Sequence, residues 1–252
     1  MIDLTPLVRL GLLLVRPGAL IVGAPPFGGV YVPAPVKLGL TLLLAIALLP
    51  STNVPAIGGS IALAEVVARE AAIGFALAMA TRALVAAAEL AGQLAGFQIG
   101  LSYSAIVDPQ SGVRNNLLAS LYGNLALATF FLTNAHHGFL RAFRDSFERL
   151  PIGAGHIGDS LPQAVVALFA LVFTLGVRLA APLVVVLVVC ELALALVARS
   201  APALNLMVAG MPVRIAIGLL LLGLVVPGAV TVLAGMGSGV LQAGVRTADA
   251  FR

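Results

Sequence analysis

Stretches free of charged side chains, and long enough to cross a bilayer, recur along this chain: Pro17 to Val36, Leu38 to Ala64, Leu90 to Val107, Asn115 to Leu140, Ser160 to Val177 and Ile215 to Val245. A bilayer is crossed by about 18 to 25 apolar residues. No water is available there to bind backbone N–H and C=O groups, so such runs must satisfy their backbone internally, as a helix does. The composition agrees, with 61% hydrophobic and 10% charged residues and a mean hydropathy of +1.12. These values lie outside the range of soluble globular domains, and the runs leave no room for a sizeable soluble domain. The chain reads as an all-α, polytopic membrane protein.

The charged residues sharpen this reading. A net charge of +4 and a pI near 10 suggest nucleic acid, but the basic residues stand singly between apolar runs and form no patch. Their expected roles are interfacial placement, pairing with nearby acids, and contact with anionic lipid. Cys190 is the single cysteine. It permits no internal disulfide or metal cluster and is expected to be a small core residue. No small-residue cleavage site follows a basic start, so the first apolar segment is expected to stay in the protein.

Proline and glycine punctuate the helices. A first helix is expected from Leu4 to Val22, ended by Ala24-Pro25-Pro26-Phe27-Gly28-Gly29. Arg9 and Arg16 lie inside it, and an arginine at the centre of a lipid-facing span costs about 2.5 to 3.5 kcal/mol. Both are therefore expected to be buried against partners. A second helix is expected from Val36 to Leu49, with Lys37 snorkelling to a headgroup. A third runs from Ile61 to Leu101 and carries Glu65, Arg69, Glu70, Arg82 and Glu89, where Glu65 and Arg69 are one turn apart in the favourable order. A fourth is expected from Val113 to Arg149, with Phe139, Phe143 and Phe147 forming one apolar side suited to a partner or a membrane interface. Two more, Gln163 to Ala198 and Ala203 to Gly235, are joined by the short turn Arg199 to Pro202 into a helical hairpin. The Gly-rich segment Gly235 to Arg252 is expected to fray.

The stretch from Glu89 to Pro109 stands apart. Gly92, Gly96, Gly100 and Ser104 recur every fourth position and stack along one face, as in helices that approach their neighbours closely. Beyond them, Asp108-Pro109 starts a turn that cannot continue as regular helix. Such backbone cannot face lipid, so it must lie inside protein or beside water. No phosphate loop, nucleophile motif or Cys/His cluster is present. The adjacent His136 and His137 point about 100° apart on a helix and cannot both hold one ion from a regular turn. His136, Glu89 and Asp108 are too widely spaced to assert a catalytic cluster. The sequence therefore favours transport or assembly over catalysis, with no metal or other cofactor.

Taken in order, an extended set of residues resembles the FliR family of flagellar type III export-gate proteins, whose injectisome counterpart is the SctT family. The set runs through Arg16, Ala24-Pro25, Val32-Pro33, Lys37 to Leu40, Pro50, Gly74, Gly92 to Gly96, Gln98, Gly100-Leu101-Ser102 and Val107-Asp108-Pro109. It continues with Asn134 and His136, Asp145 and Phe147, Leu150-Pro151-Ile152-Gly153, Ala201-Pro202, Asn205, and Gly210 with Pro212. The ordered succession of GLS, VDP and LPIG is the specific part.

The resemblance implies a non-enzymatic subunit of the export gate in the bacterial inner membrane, at the flagellar basal body. Its partners would be FliP, FliQ and FlhB family subunits together with membrane lipid, and no nucleic acid. Unfolded flagellar export substrates would pass through the assembly. It also implies a FliP-like part at 1–157 followed by a FliQ-like helical hairpin and tail at 158–252, with a non-standard membrane topology. In this family the loop after the third helix plugs the channel. By position that loop is Gly100, Leu101, Ser102, Tyr103, Ser104, Ala105, Ile106, Val107, Asp108 and Pro109. Tyr103 and Ile106 stand where many members carry two phenylalanines, and Ala135 stands where glycine commonly precedes the histidine. An injectisome gate subunit is an alternative. A secondary transporter with a midplane site is another, but no internal repeat supports it.

Overall fold

The computed structural model describes residues 5–29, 32–49, 59–101, 117–156, 158–200 and 206–251. Among them every regular element is a helix. The order is α1 (Thr5–Gly23), α2 (Pro25–Gly28), α3 (Ala34–Leu48), α4 (Ser60–Ile99), α5 (Leu117–Leu132), α6 (Ala135–Arg149), α7 (Leu161–Ser200) and α8 (Leu206–Asp249). Prolines open α2 and α3, where the missing N–H would have had no helical partner anyway. The alanine-rich sequence of α4 favours a long uninterrupted helix.

α4, α7 and α8 are each long and apolar enough to span a membrane, and α5 with α6 forms a bent pair that passes the same test. The protein is therefore an all-α polytopic membrane protein. At 1.5 Å per residue, the 40 residues of α4 and of α7 reach about 60 Å, roughly twice a bilayer's hydrocarbon core. Burial separates these helices: the apolar window is 67% buried in α4, but only 17% in α7 and 11% in α8.

The chain forms two compact units that interleave in sequence. One comprises residues 1–83, 131–170 and 237–252, and the other 84–130 and 171–236. In the first, Arg16 pairs with Glu70, a Cβ on Gly74 would stand 2.8 Å from Ala19 Cβ, and one on Gly23 would stand 2.8 Å from Ala78 Cβ. These pairings advance together, so α1 runs parallel to α4. Phe139, Phe143 and Phe147 of α6 are buried within the same unit, and Phe143 meets Phe147 edge to face at 5.4 Å. In the second unit, Gly92 faces Leu118 and Ala119 while Glu89 lies against Gly123, so α4 and α5 are antiparallel. α7 and α8 also run antiparallel there, joined by Glu191 and Arg214 at 2.9 Å, and Ile215, Ile217, Leu221 and Leu222 pack against the buried cluster to which Leu183 and Leu187 belong.

Several expectations are corrected. The helix expected from Val113 to Arg149 breaks between α5 and α6 with a bend of 74°. The break falls at Asn134, whose φ of 55° is left-handed, a conformation that asparagine tolerates better than most residues. The expected frayed tail is helical to Asp249 and ends in buried Ala250 and Phe251, whose carbonyls accept the N–H groups of Gly158 (3.1 Å) and His156 (2.7 Å). The apolar side of α6 is covered by its own unit and is not free for a partner or a membrane. Lys37 donates to Gly28 O at 3.0 Å, so its ammonium is used inside the fold. Cys190 is half-buried and lies at the margin of the core. Glu65 and Arg69 form the expected ion pair.

Candidate functional site

α4 ends in a defined geometry. A Cβ on Gly92 would overlap the Leu118 carbonyl oxygen and come within 2.6 Å of Ala119 Cα, so the backbones of α4 and α5 touch there with no room for a side chain. Gly96, one turn later, is buried. Gly100 differs from both. Its Cβ would meet nothing within 4 Å, its φ is 94°, and its N–H donates to Gly96 O (3.1 Å) and Phe97 O (3.2 Å). That is the glycine C-cap arrangement, in which a positive φ stops the helix and turns the chain away.

Ile99 and Leu118 stand on either side of the segment between α4 and α5, and they belong to one buried cluster with Ala95, Leu183 and Leu187. A Cβ on Gly218 would come within 2.9 Å of Ile99 Cδ1, so α8 closes tightly over the same residue. Leu101 packs on the cluster from its edge. Both roots of the segment are thus fixed to each other and to the hairpin. Of the residues singled out for the loop, Gly100 and Leu101 are placed by the structure. Ser102, Tyr103, Ser104, Ala105, Ile106, Val107, Asp108 and Pro109 lie outside the described residues.

A second convergence of sequence-distant residues surrounds Arg16. Its Nε donates to Glu70 Oε2 at 2.7 Å, Nη1 donates to Ser146 O (3.0 Å) and Ser146 Oγ (3.1 Å), and Nη2 donates to Leu150 O at 2.9 Å. The guanidinium carbon stands 4.2 Å from the centre of the Phe147 ring. The other oxygen of Glu70, Oε1, accepts the Gly153 N–H at 3.2 Å. Arg16 and Glu70 are both fully buried. Arg16 therefore places a cation among the terminal carbonyls of α6, where the helix dipole favours it. Arg16 is buried against protein groups as expected, and those groups belong to its own chain. The same expectation for Arg9 is corrected, since Arg9 is exposed.

With this geometry in view, the comparisons with known proteins are specific. A profile described as bacterial export proteins, family 1, matches residues 7–238. The flagellar biosynthetic protein FliR of Escherichia coli strain K12 is 34% identical over 217 residues, covering 85% of this chain and 82% of the relative. The Bacillus subtilis strain 168 protein of the same name is 30% identical over 228 residues, covering 88% and 86%. The chain belongs to the FliR family of bacterial export proteins. It is a membrane-located export component of flagellar biosynthesis.

As a family member, the chain shows where its resemblance-bearing residues meet. Arg16 is far in sequence from Phe147 and from the Leu150 to Gly153 segment yet meets them at one node, with Gly153 at a φ of 82° turning the chain toward Glu70. Sequence reasoning missed the Arg16 to Glu70 pair, because 54 residues separate them and no helical period links them. The one available signal was the cost of a lone arginine in an apolar helix, which demands an acid somewhere. The ring of His136 lies 5.3 Å from that of Phe131 and 4.2 Å from that of His137, both tilted, in an aromatic cluster that Phe27 extends. Among the described residues no group of three His, Cys, Asp or Glu side chains could hold a metal ion.

Proposed function

We propose that this chain is a structural, pore-forming subunit of the flagellar type III export gate in the bacterial inner membrane, and that it acts without catalysis. It assembles with FliP, FliQ and FlhB family subunits at the flagellar basal body, and unfolded flagellar subunits pass through the assembly. The observation that carries this reading, beside family membership, is the pair of fixed roots at Ile99 and Leu118. Anchoring both ends of this segment in one packed apolar cluster fixes the points from which a channel-closing loop would project.

In this reading the residues from Gly100 to Pro109 are the plug. Tyr103 and Ile106 supply bulk against ions at rest, and an exported polypeptide displaces them. Gly92 and Gly96 set the helix approach that holds the plug's root. The division into a FliP-like part at 1–157 and a FliQ-like part at 158–252 is one of ancestry, and it does not have to coincide with the interleaved compact units. Deleting residues 102–106 tests the plug: the assembled gate should then conduct ions at rest while its subunits still copurify. Unchanged resting conductance would remove the plug role.

A further inference from the structure

Within the first compact unit, α6 and the last turns of α8 enclose a cavity of about 190 Å³. The two helices touch at one end, where a Cβ on Gly138 would stand 3.0 Å from Leu241 Cδ2. At the other end they are bridged by Arg149 and Asp249 at 3.1 Å. Leu77, Ala142 and Ala248 supply apolar wall, and Arg141, Asp145, Arg149 and Asp249 supply charge.

The charges of the lining do not cancel in the same way. Asp145 is matched by Arg144 at 3.0 Å and Asp249 by Arg149 at 3.1 Å. Arg141 forms no ion pair with any described residue. One cation is thus left over at the cavity. Its neighbourhood also fixes the medium outside. Arg141, Arg144, Glu148 and Arg149 are all exposed within nine residues of α6, and each such charge set against lipid tails would cost about 2.5 to 3.5 kcal/mol. This part of α6 therefore stands among headgroups or in water, at the margin of a membrane-located chain.

We propose that the cavity holds the headgroup of one anionic phospholipid, with its phosphate on the Arg141 guanidinium and its glycerol carbons against Leu77, Ala142 and Ala248. A guanidinium donates paired N–H groups that match phosphate oxygens, and basic pockets between membrane helices are the usual seats of anionic headgroups. The size agrees, because an apolar cavity of about 150 Å³ already admits a benzene-sized molecule. The acyl chains do not fit and remain in the bilayer. A net-anionic lipid is favoured over a zwitterionic one because the lining has a single uncompensated positive charge and offers no free carboxylate to a choline or ethanolamine group. The site requires only a membrane-located chain and stands or falls independently of the gate reading above.

The test uses the purified full-length protein in a nonionic detergent, titrated separately with dioctanoyl phosphatidylglycerol, dioctanoyl phosphatidylcholine and inorganic phosphate. Native mass spectrometry counts bound lipid, and the unfolding temperature reports affinity, since a ligand of the folded state raises it. Phosphatidylglycerol should bind as a single tight copy and raise the unfolding temperature. Arg141→Gln should weaken that binding by about tenfold or more, and Arg141→Lys should keep most of it. Arg9→Gln, an exposed arginine on α1, should bind like the unsubstituted chain. Ala142→Leu fills the cavity from its wall without altering charge and should also weaken binding, so the outcome does not hang on one variant. Unchanged affinity in either Arg141→Gln or Ala142→Leu would overturn the site. Equal binding of phosphatidylcholine would overturn the selection for anionic lipid, and inorganic phosphate binding as tightly as phosphatidylglycerol would overturn the lipid in favour of a free anion.

Discussion

Two ion pairs that join distant or antiparallel helices show how differently one interaction type serves the two compact units. Arg16 and Glu70, in the first unit, are fully buried, and between them bind Ser146, Leu150, Gly153 and the face of Phe147. Glu191 and Arg214, in the second, meet at 2.9 Å with about a third of each side chain exposed. A charge removed from water must be matched by its surroundings, and breaking one side of such a pair leaves the other stranded. A partly exposed pair that reaches water or lipid headgroups loses less when broken, because those groups replace the partner. The first pair therefore fixes which segments meet, and the second aligns two helices that apolar packing already holds.

Substitutions can break or sharpen this contrast. The largest effect is expected from Glu70→Ala, which strands a buried guanidinium and should destabilise the purified protein by about 3 to 5 kcal/mol, read from its unfolding midpoint in detergent. Replacing both residues, Arg16→Met with Glu70→Leu, should cost much less, because no unpaired charge remains. Equal losses in the single and double substitutions would show that packing, and not the charge pair, dominates the node.

Gly92→Leu comes next. It forces a side chain against the backbone of Leu118 and Ala119, and overpacking of this kind costs about 1 to 3 kcal/mol. Faster protease cleavage in the second unit should report it, and an unaltered digestion rate would contradict the close approach.

Gly100→Ala is expected to cost about 1 kcal/mol, because an alanine at a φ of 94° meets the left-handed penalty although space is open around it. Gly100→Asn should cost less, and a denaturant titration of the three forms gives the order. The smallest effect is expected from Glu191→Gln, below about 1 kcal/mol. Added salt should narrow its difference from the unsubstituted chain. A loss as large as that of Glu70→Ala would mean that the two pairs are equivalent after all.

Much of this architecture was legible from residue order. The helices over Thr5–Gly23, Ala34–Leu48 and Ser60–Ile99 follow apolar runs bounded by proline and glycine, and their ends fall within a few residues of expectation. The hairpin of α7 and α8 was equally clear from two long apolar segments and a short connection. The bend at Asn134 was not, since asparagine in the left-handed region depends on what the flanking helices pack against. The ordered C-terminal end was hidden for a related reason. Glycines weaken a helix in isolation, but here Gly244 lets α8 lie close against Ala80, and Phe251 joins Ile73, Ala76 and Leu150 in a buried cluster.

The candidate site divides in the same way. The recurrence of glycine at positions 92, 96 and 100 could be read as a stripe, because a helix places every fourth residue on one face. Only the tertiary structure separated the roles of these glycines: Gly92 admits a neighbouring backbone, and Gly100 ends the helix through its positive φ. By itself the sequence determined that the chain is helical, apolar and membrane-bound, because backbone hydrogen bonding in lipid leaves few alternatives. Tertiary structure decided that Arg16 meets Glu70 and the carbonyls of Ser146 and Leu150, because only folding brings those groups to one buried point where their charges can compensate.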